Sequence, residues 1–297
     1  MIEIEEEEIK DLLSVLVIPD NTRIEENNIV VDGDILIGNY ADIGYGILAR
    51  SVIAGERTNI SGSVDAEGDV RIDLWSTIKG NVISTMDAYL GESVKILGKL
   101  TVYGDLDIGN DVLIEEGFEA RGLIAIRNPL PVIVYIMVYL SELLRLGRSE
   151  EVEKFIEELF EDDYLNLSDN SMIVPNRTKM DYGNIQVSTR GIIGNNCRLV
   201  GNIKLNSLSL GANSILFGSI RTRDETYIGP GSIVHGDIVS KNSVYVDAGA
   251  HILGKIRANH IKIHEEASVD GSMMATNGVN IIKDDEEEIK DIEEEEG

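Results

Sequence analysis

The chain of 297 residues has one cysteine, Cys197, and four histidines, His235, His251, His260 and His264. A lone cysteine excludes a disulfide framework and any metal centre built from cysteine pairs, and a buried, inert thiol is its expected state. Aromatic residues make up only 5% of the chain, so a core has to be filled by Ile, Leu and Val. Bases are outnumbered 26 to 53, for a net charge of −27. Phosphate binding needs clustered cations, so this balance argues against a nucleic-acid ligand. The chain opens on Met1-Ile2-Glu3 without a cationic, apolar leader, and the expected compartment is the cytoplasm. The apolar run from Pro131 to Ser141 is too short to span a bilayer. Neither a Gly-x-Ser-x-Gly elbow nor a Gly-x-x-x-x-Gly-Lys-Ser/Thr loop is present, and no cofactor site is indicated.

What the chain does contain is itself, twice. At an offset of 156 residues the punctuation aligns without a gap. Pro19 meets Pro175, Ile37-Gly38-Asn39 meets Ile193-Gly194-Asn195, and Gly98-Lys99-Leu100 meets Gly254-Lys255-Ile256. Turn glycines and the apolar residues after them match, whereas the polar residues between them mostly differ. A duplication that keeps scaffold and lets surface drift points to a function of shape.

A shorter period lies inside each copy. A glycine followed two residues later by Ile, Val, Leu or Met recurs at Gly62, Gly80 and Gly98, and at Gly201, Gly218, Gly236, Gly254 and Gly271, spaced 17 or 18 residues apart. A fixed short period is the mark of a repeat architecture. Between the glycines, segments such as Ser243-Val244-Tyr245-Val246 alternate apolar with polar, the pattern of half-buried strands. Gly, Asn, Asp and Ser gather at the corners, where the chain must reverse. One turn cannot bury its own apolar face, so several must stack. The expected fold is mainly β: two parallel triangular β-helix (β-solenoid) units of about 18 residues per turn, with an inserted α-helical hairpin.

The expected organisation has five parts. Residues 1–20 form an acidic N-terminal segment with a short helix, 21–128 a first solenoid, and 129–168 the hairpin. Residues 169–283 form a second solenoid and 284–297 an acidic tail. Pro129-Leu130-Pro131 stops the glycine period, Ser149 caps a helix with acids in its first turn, and Val152, Phe155, Ile156, Leu159 and Phe160 follow at helical spacing. Val132, Val134, Ile136, Leu140 and Leu144 form the apolar face expected to meet the solenoid, a partner protein or, shallowly, a membrane surface.

Candidate chemistry is confined to the histidines, all in the second copy. His260 and His264 flank one strand, where an i, i+4 spacing on a straight strand puts both on one face. A metal there would need a third ligand from an adjacent turn. His235 and His251 differ by 16 in an 18-residue period and do not stack cleanly. Surface histidines on an acidic protein are the plainer reading, and no metal site is assigned.

The Gly-[Asp/Asn/Ser/Lys]-[Ile/Val/Leu] steps at Gly33, Gly62, Gly80, Gly98, Gly201, Gly218, Gly236 and Gly254 resemble those of the bactofilins, a polymer-forming cytoskeletal family. The resemblance implies a right-handed triangular β-helix and nucleotide-free filaments joined end to end. Two solenoids, a helical hairpin and long acidic ends depart from the family's usual single solenoid. A second resemblance is to the hexapeptide-repeat acyltransferases, through Ile37-Gly38-Asn39-Tyr40-Ala41-Asp42-Ile43-Gly44 and Ile228-Gly229-Pro230-Gly231-Ser232-Ile233. It implies a trimer, an acyl-thioester cofactor and His235 or His251 as general base, but the six-residue register is lost within a turn or two. The leading expectation is a non-enzymatic scaffold that forms homo-oligomers or polymers, with Ile29, Val31, Ile281 and Ile282 of the terminal turns supplying the contact.

Overall fold

The structure is a computed structural model that describes residues 13–25, 27–126 and 170–283. The expected hairpin, Val132, Val134, Ile136, Leu140, Leu144 and both acidic runs lie outside the described residues. Among the described residues there are 38 short strands, from β1 (Val15–Ile18) to β38 (Val279–Ile282), and no helix. They form three sheets, one of 14 strands (sheet I) and two of 12 (sheets II and III), each running the length of one stack of about 12 turns.

A representative turn is β7 (Val52–Ala54) on sheet I, β8 (Asn59–Ile60) on sheet II and β9 (Val64–Ala66) on sheet III. The next strand, β10 (Val70–Ile72), lies directly on β7, with Val70 beside Val52. The 18-residue step of the sequence is this rise of one turn. Inward side chains stack in columns: Val52, Val70, Ala88 and Leu106 on sheet I, and Ile43, Ile60, Ile78 and Ile96 on sheet II. All of them are buried. Columns of like residues let each turn bury the apolar surface of the last, which explains how two- to five-residue strands hold together.

The glycine step has a direct steric cause. A Cβ on Gly236 would lie 2.5 Å from the carbonyl oxygen of Gly218 one turn below, and one on Gly98 would lie 2.7 Å from that of Gly80. The polar residue after each glycine forms a second column. Ser63 Oγ accepts the Asn81 amide at 3.1 Å and Asn81 Oδ1 accepts the Lys99 amide at 2.9 Å. In the second half Ser219 Oγ accepts the Asp237 amide at 3.1 Å and Asp237 Oδ1 the Lys255 amide at 2.8 Å. A glycine followed by a short acceptor is therefore a corner that satisfies the backbone donor of the turn above.

The two halves meet at the centre of the stack and grow outward from it. On sheet I, β20 (Met172–Val174) pairs with β4 (Ile35–Ile37), and β1 pairs with β23 (Arg190–Ile193). Between them β1 and β20 run antiparallel, with Val17 opposite Ile173, its own counterpart in the 156-residue offset. The other sheets follow the same rule: β2 (Arg23–Glu25) pairs with β24 (Arg198–Val200), and β21 (Lys179–Asp181) with β5 (Asp42–Ile43). The first strands of each half thus lie on the other half, and the seam is interlaced. Tyr45 pins it: its ring is buried, its hydroxyl donates to the Asp181 carbonyl at 2.8 Å, and its ring meets that of Tyr182 edge-on at 5.2 Å. Sequence left open whether two solenoids would stack in line or lie side by side; here the three sheets pass through the seam in line.

Candidate functional site: the open ends of the stack

Because both halves grow outward, the two outermost turns among the described residues are the chain-late turns of each half. One comprises β17 (Leu113–Ile114), β18 (Phe118–Ala120) and β19 (Ile124–Ile126); the other comprises β36 (Ser268–Val269), β37 (Met273–Ala275) and β38. At these turns the burial pattern collapses. Ile126 is 73% exposed, Ile281 66%, Ile124 48% and Phe118 43%, whereas the next rungs inward in the same columns, Ile108, Ile263, Leu106 and Leu100, are buried. Each terminal strand has a sheet neighbour on one side only among the described residues. The ends therefore present apolar side chains and strand edges together, the combination that templates further pairing.

The expected assembly residues divide between two places. Ile281 and Ile282 lie on the last strand of sheet I. Ile29 and Val31 instead lie inside the seam, at 0% and 4% exposure, with β3 (Asn28–Val30) between β2 and β6 (Gly46–Ala49). They come early in the first copy but at no end of the stack, because that copy begins against the other.

The histidines do not converge. His235 is exposed and stacked on Phe217 at 4.4 Å. His251, on the neighbouring rung, has Nε2 3.0 Å from Asp270 Oδ1. His260 Nε2 lies 3.0 Å from Asn277 Nδ2, while His264 is buried and its Nδ1 accepts the Glu266 amide at 3.2 Å. The same-face expectation for His260 and His264 fails because the chain turns at Glu266 and takes His264 inward. No group of three or more His, Cys, Asp or Glu suited to a metal occurs among the described residues. Cys197 is buried with its amide on Ser214 Oγ at 3.0 Å, and burial pushes its thiol pKa up.

Two columns had no signature read from the sequence. One is internal: Thr58 donates its amide to Ser76 Oγ at 3.0 Å, and Ser214 donates its amide to Ser232 Oγ at 3.1 Å, forming buried hydroxyl steps that Cys197 continues. Small residues directly after each corner are the signal that could have disclosed it. The other lies on the corner itself, where Tyr40, Arg57 and Trp75 adopt left-handed backbone with φ of 61°, 54° and 56°. Their counterparts 156 residues later are Asn196, Asn213 and Gly231, residue types that take this conformation at little cost. The bulky residues stack instead: Arg57 lies 5.5 Å from the Tyr40 ring and 4.8 Å from the Trp75 ring. Such contacts contribute about 0.5–1 kcal/mol each, so the two offset roughly a third of the left-handed penalty of about 1–2 kcal/mol for each of the three residues.

No helix among the described residues is long and apolar enough to cross a membrane. Comparison with curated proteins and with solved structures gave no match. The bactofilin family model, described as polymer-forming cytoskeletal, matches residues 182–274, five successive turns of the second half. The resemblance read from the glycine steps and this independent match agree, and over that stretch the chain is bactofilin-like, with a β-solenoid fold.

Proposed function

We propose that this protein is a structural scaffold that polymerises through the open ends of its stack. The observation that carries the reading is the pair of exposed apolar terminal turns on an otherwise well-buried solenoid. Ile126 on Ile108 matches Ile281 on Ile263, and Ile124 on Leu106 matches Val279 on Ile261, so the two ends are variants of one surface. This supports an origin of the two solenoid units by duplication. Contacts between ends of one kind add turns coaxially, satisfy the strand edges and cover the apolar columns. Filaments built in this way from a centrally seamed unit have no net polarity. The acidic run at residues 284–297, which follows the terminal strand β38, repels between copies, so salt strengthens association by screening it. The test is sedimentation of the full-length protein across a salt series. Polymer that grows with salt is the expected result; a fixed small oligomer at every salt concentration overturns the reading.

A further inference from the structure

Outside the ends, one feature stands apart in a chain of net charge −27: a cationic groove on sheet II of the second half. Lys179 on β21 faces Gln186 on β22 (Asn184–Gln186), Gln186 lies beside Lys204 on β25 (Asn202–Leu205), and Lys204 lies beside Arg221 on β28 (Ile220–Thr222). All four side chains are exposed and line a groove of about 460 Å³. Three interstrand steps separate Lys179 from Arg221, roughly 14 Å. Two acids share the groove: Asp237 Oδ1 accepts the Lys255 amide at 2.8 Å, and Asp181 Oδ1 accepts the Gly183 amide at 3.1 Å with Lys179 nearby, so the three cations exceed the two acids by one charge. No ion pair among the described residues uses Lys179, Lys204 or Arg221.

The turn geometry does not require these cations. The counterparts of Gln186, Lys204 and Arg221 in the first half are Val30, Leu48 and Asp65, which line a groove of their own with Asp32 and Glu67. One half therefore carries a cationic column where the other carries apolar and acidic groups.

The chain itself supplies an acidic segment at this place. Val15, the first residue of β1, pairs with Arg190, only four residues beyond Gln186. Lys179 and Gln186 form the strand ends nearest that corner. The segment preceding β1 thus leaves the described residues beside the groove, and it carries Glu3 and Glu5 through Glu8. From Ser14 back to Glu5 an extended chain reaches roughly 30 Å, about twice the length of the cationic column.

We propose that Glu5–Glu8 dock in cis on Lys179, Lys204 and Arg221, so that the N-terminal segment of each copy covers its own cationic groove. Docking leaves the exterior of the stack more uniformly acidic and directs association to the ends. The test is zero-length carbodiimide cross-linking of the full-length protein at low salt, in an equal mixture of ordinary and nitrogen-15-labelled copies, with the products mapped by mass. The expected products join Glu5–Glu8 to Lys179 or Lys204 within single copies, of wholly light or wholly heavy mass. High salt reduces their yield. The Arg221→Glu variant, which leaves both lysines in place, reduces it about fivefold, the factor for loss of one coupling near 1 kcal/mol. Products of mixed mass overturn the proposal in favour of a second copy as occupant. Equal cross-linking to remote lysines such as Lys95 and Lys262, or no dependence on salt or on Arg221→Glu, overturns it altogether.

Discussion

Replacing Ile281 and Ile282 with Asp probes end-to-end association at a single end. Ile281 is 66% exposed on the outermost strand. Complete burial of an Ile side chain contributes about 1.5–3 kcal/mol, so covering the exposed two-thirds contributes roughly 1–2 kcal/mol. In a contact between two such ends the residue occurs twice, giving about 2–4 kcal/mol from this position alone. The carboxylates add a desolvation cost on top. Each 1.4 kcal/mol is tenfold in affinity, so the dissociation constant rises by at least about 30-fold to 1,000-fold. The interior columns are untouched, and the β-rich circular dichroism spectrum stays as in the parent. Because the Leu123–Ile126 end remains, the doubly substituted protein is expected to stop at dimers in sedimentation velocity. Adding Leu123→Asp and Ile126→Asp then gives single copies. Unchanged polymer length in the first variant refutes the argument and moves the contact to a lateral face.

Three further outcomes follow from the interior. Gly236→Ala places a methyl 2.5 Å from the Gly218 carbonyl oxygen, and strain of about 1–3 kcal/mol is expected as a lowered unfolding midpoint in urea. Arg50→Ala strips the bidentate partner from Asp34, which is 2% exposed; destabilisation of about 1–3 kcal/mol is expected by the same assay, and a neutral change contradicts it. Burial, followed by the nearby Asp181 and Tyr182, pushes the Tyr45 pKa from 10.0 up to about 12. The folded state therefore holds this proton after the unfolded chain has lost it. The associated stability is fully present below pH 10, falls as pH rises, and is lost by about pH 12. Tyr45→Phe is expected to flatten that part of the stability profile, and an unaltered slope contradicts the assignment.

The fold was legible where chemistry repeats at short range. The glycine steps marked one corner of each turn because the close carbonyl below leaves no room for a Cβ, and the alternation of Val and Ile marked the inward columns. The seam was not legible. Pairing of Val15 with Arg190, 175 residues apart, leaves no local pattern, and the antiparallel pair β1–β20 uses ordinary strand residues. Ile29 and Val31 were misplaced for that reason: first in order along a copy, they are central in the stack. The left-handed corner at Arg57 and Trp75 was equally opaque, since nothing in a bulky residue announces positive φ. The end residues were only half visible: Ile281 and Ile282 are expected at a terminal turn and lie on one, whereas Ile124 and Ile126 at the other end carry no such expectation, because the first copy's late turn reads as running into the hairpin.

Negative-stain electron microscopy of the untagged protein at low and high salt tests the account most directly. The 14-stranded sheet spans roughly 60 Å along the stack at the usual interstrand spacing. The account predicts thin, unbranched filaments at high salt, without polarity, in which each copy occupies about that length or slightly more. Discrete compact particles at both salt concentrations, and at rising protein concentration, would contradict it.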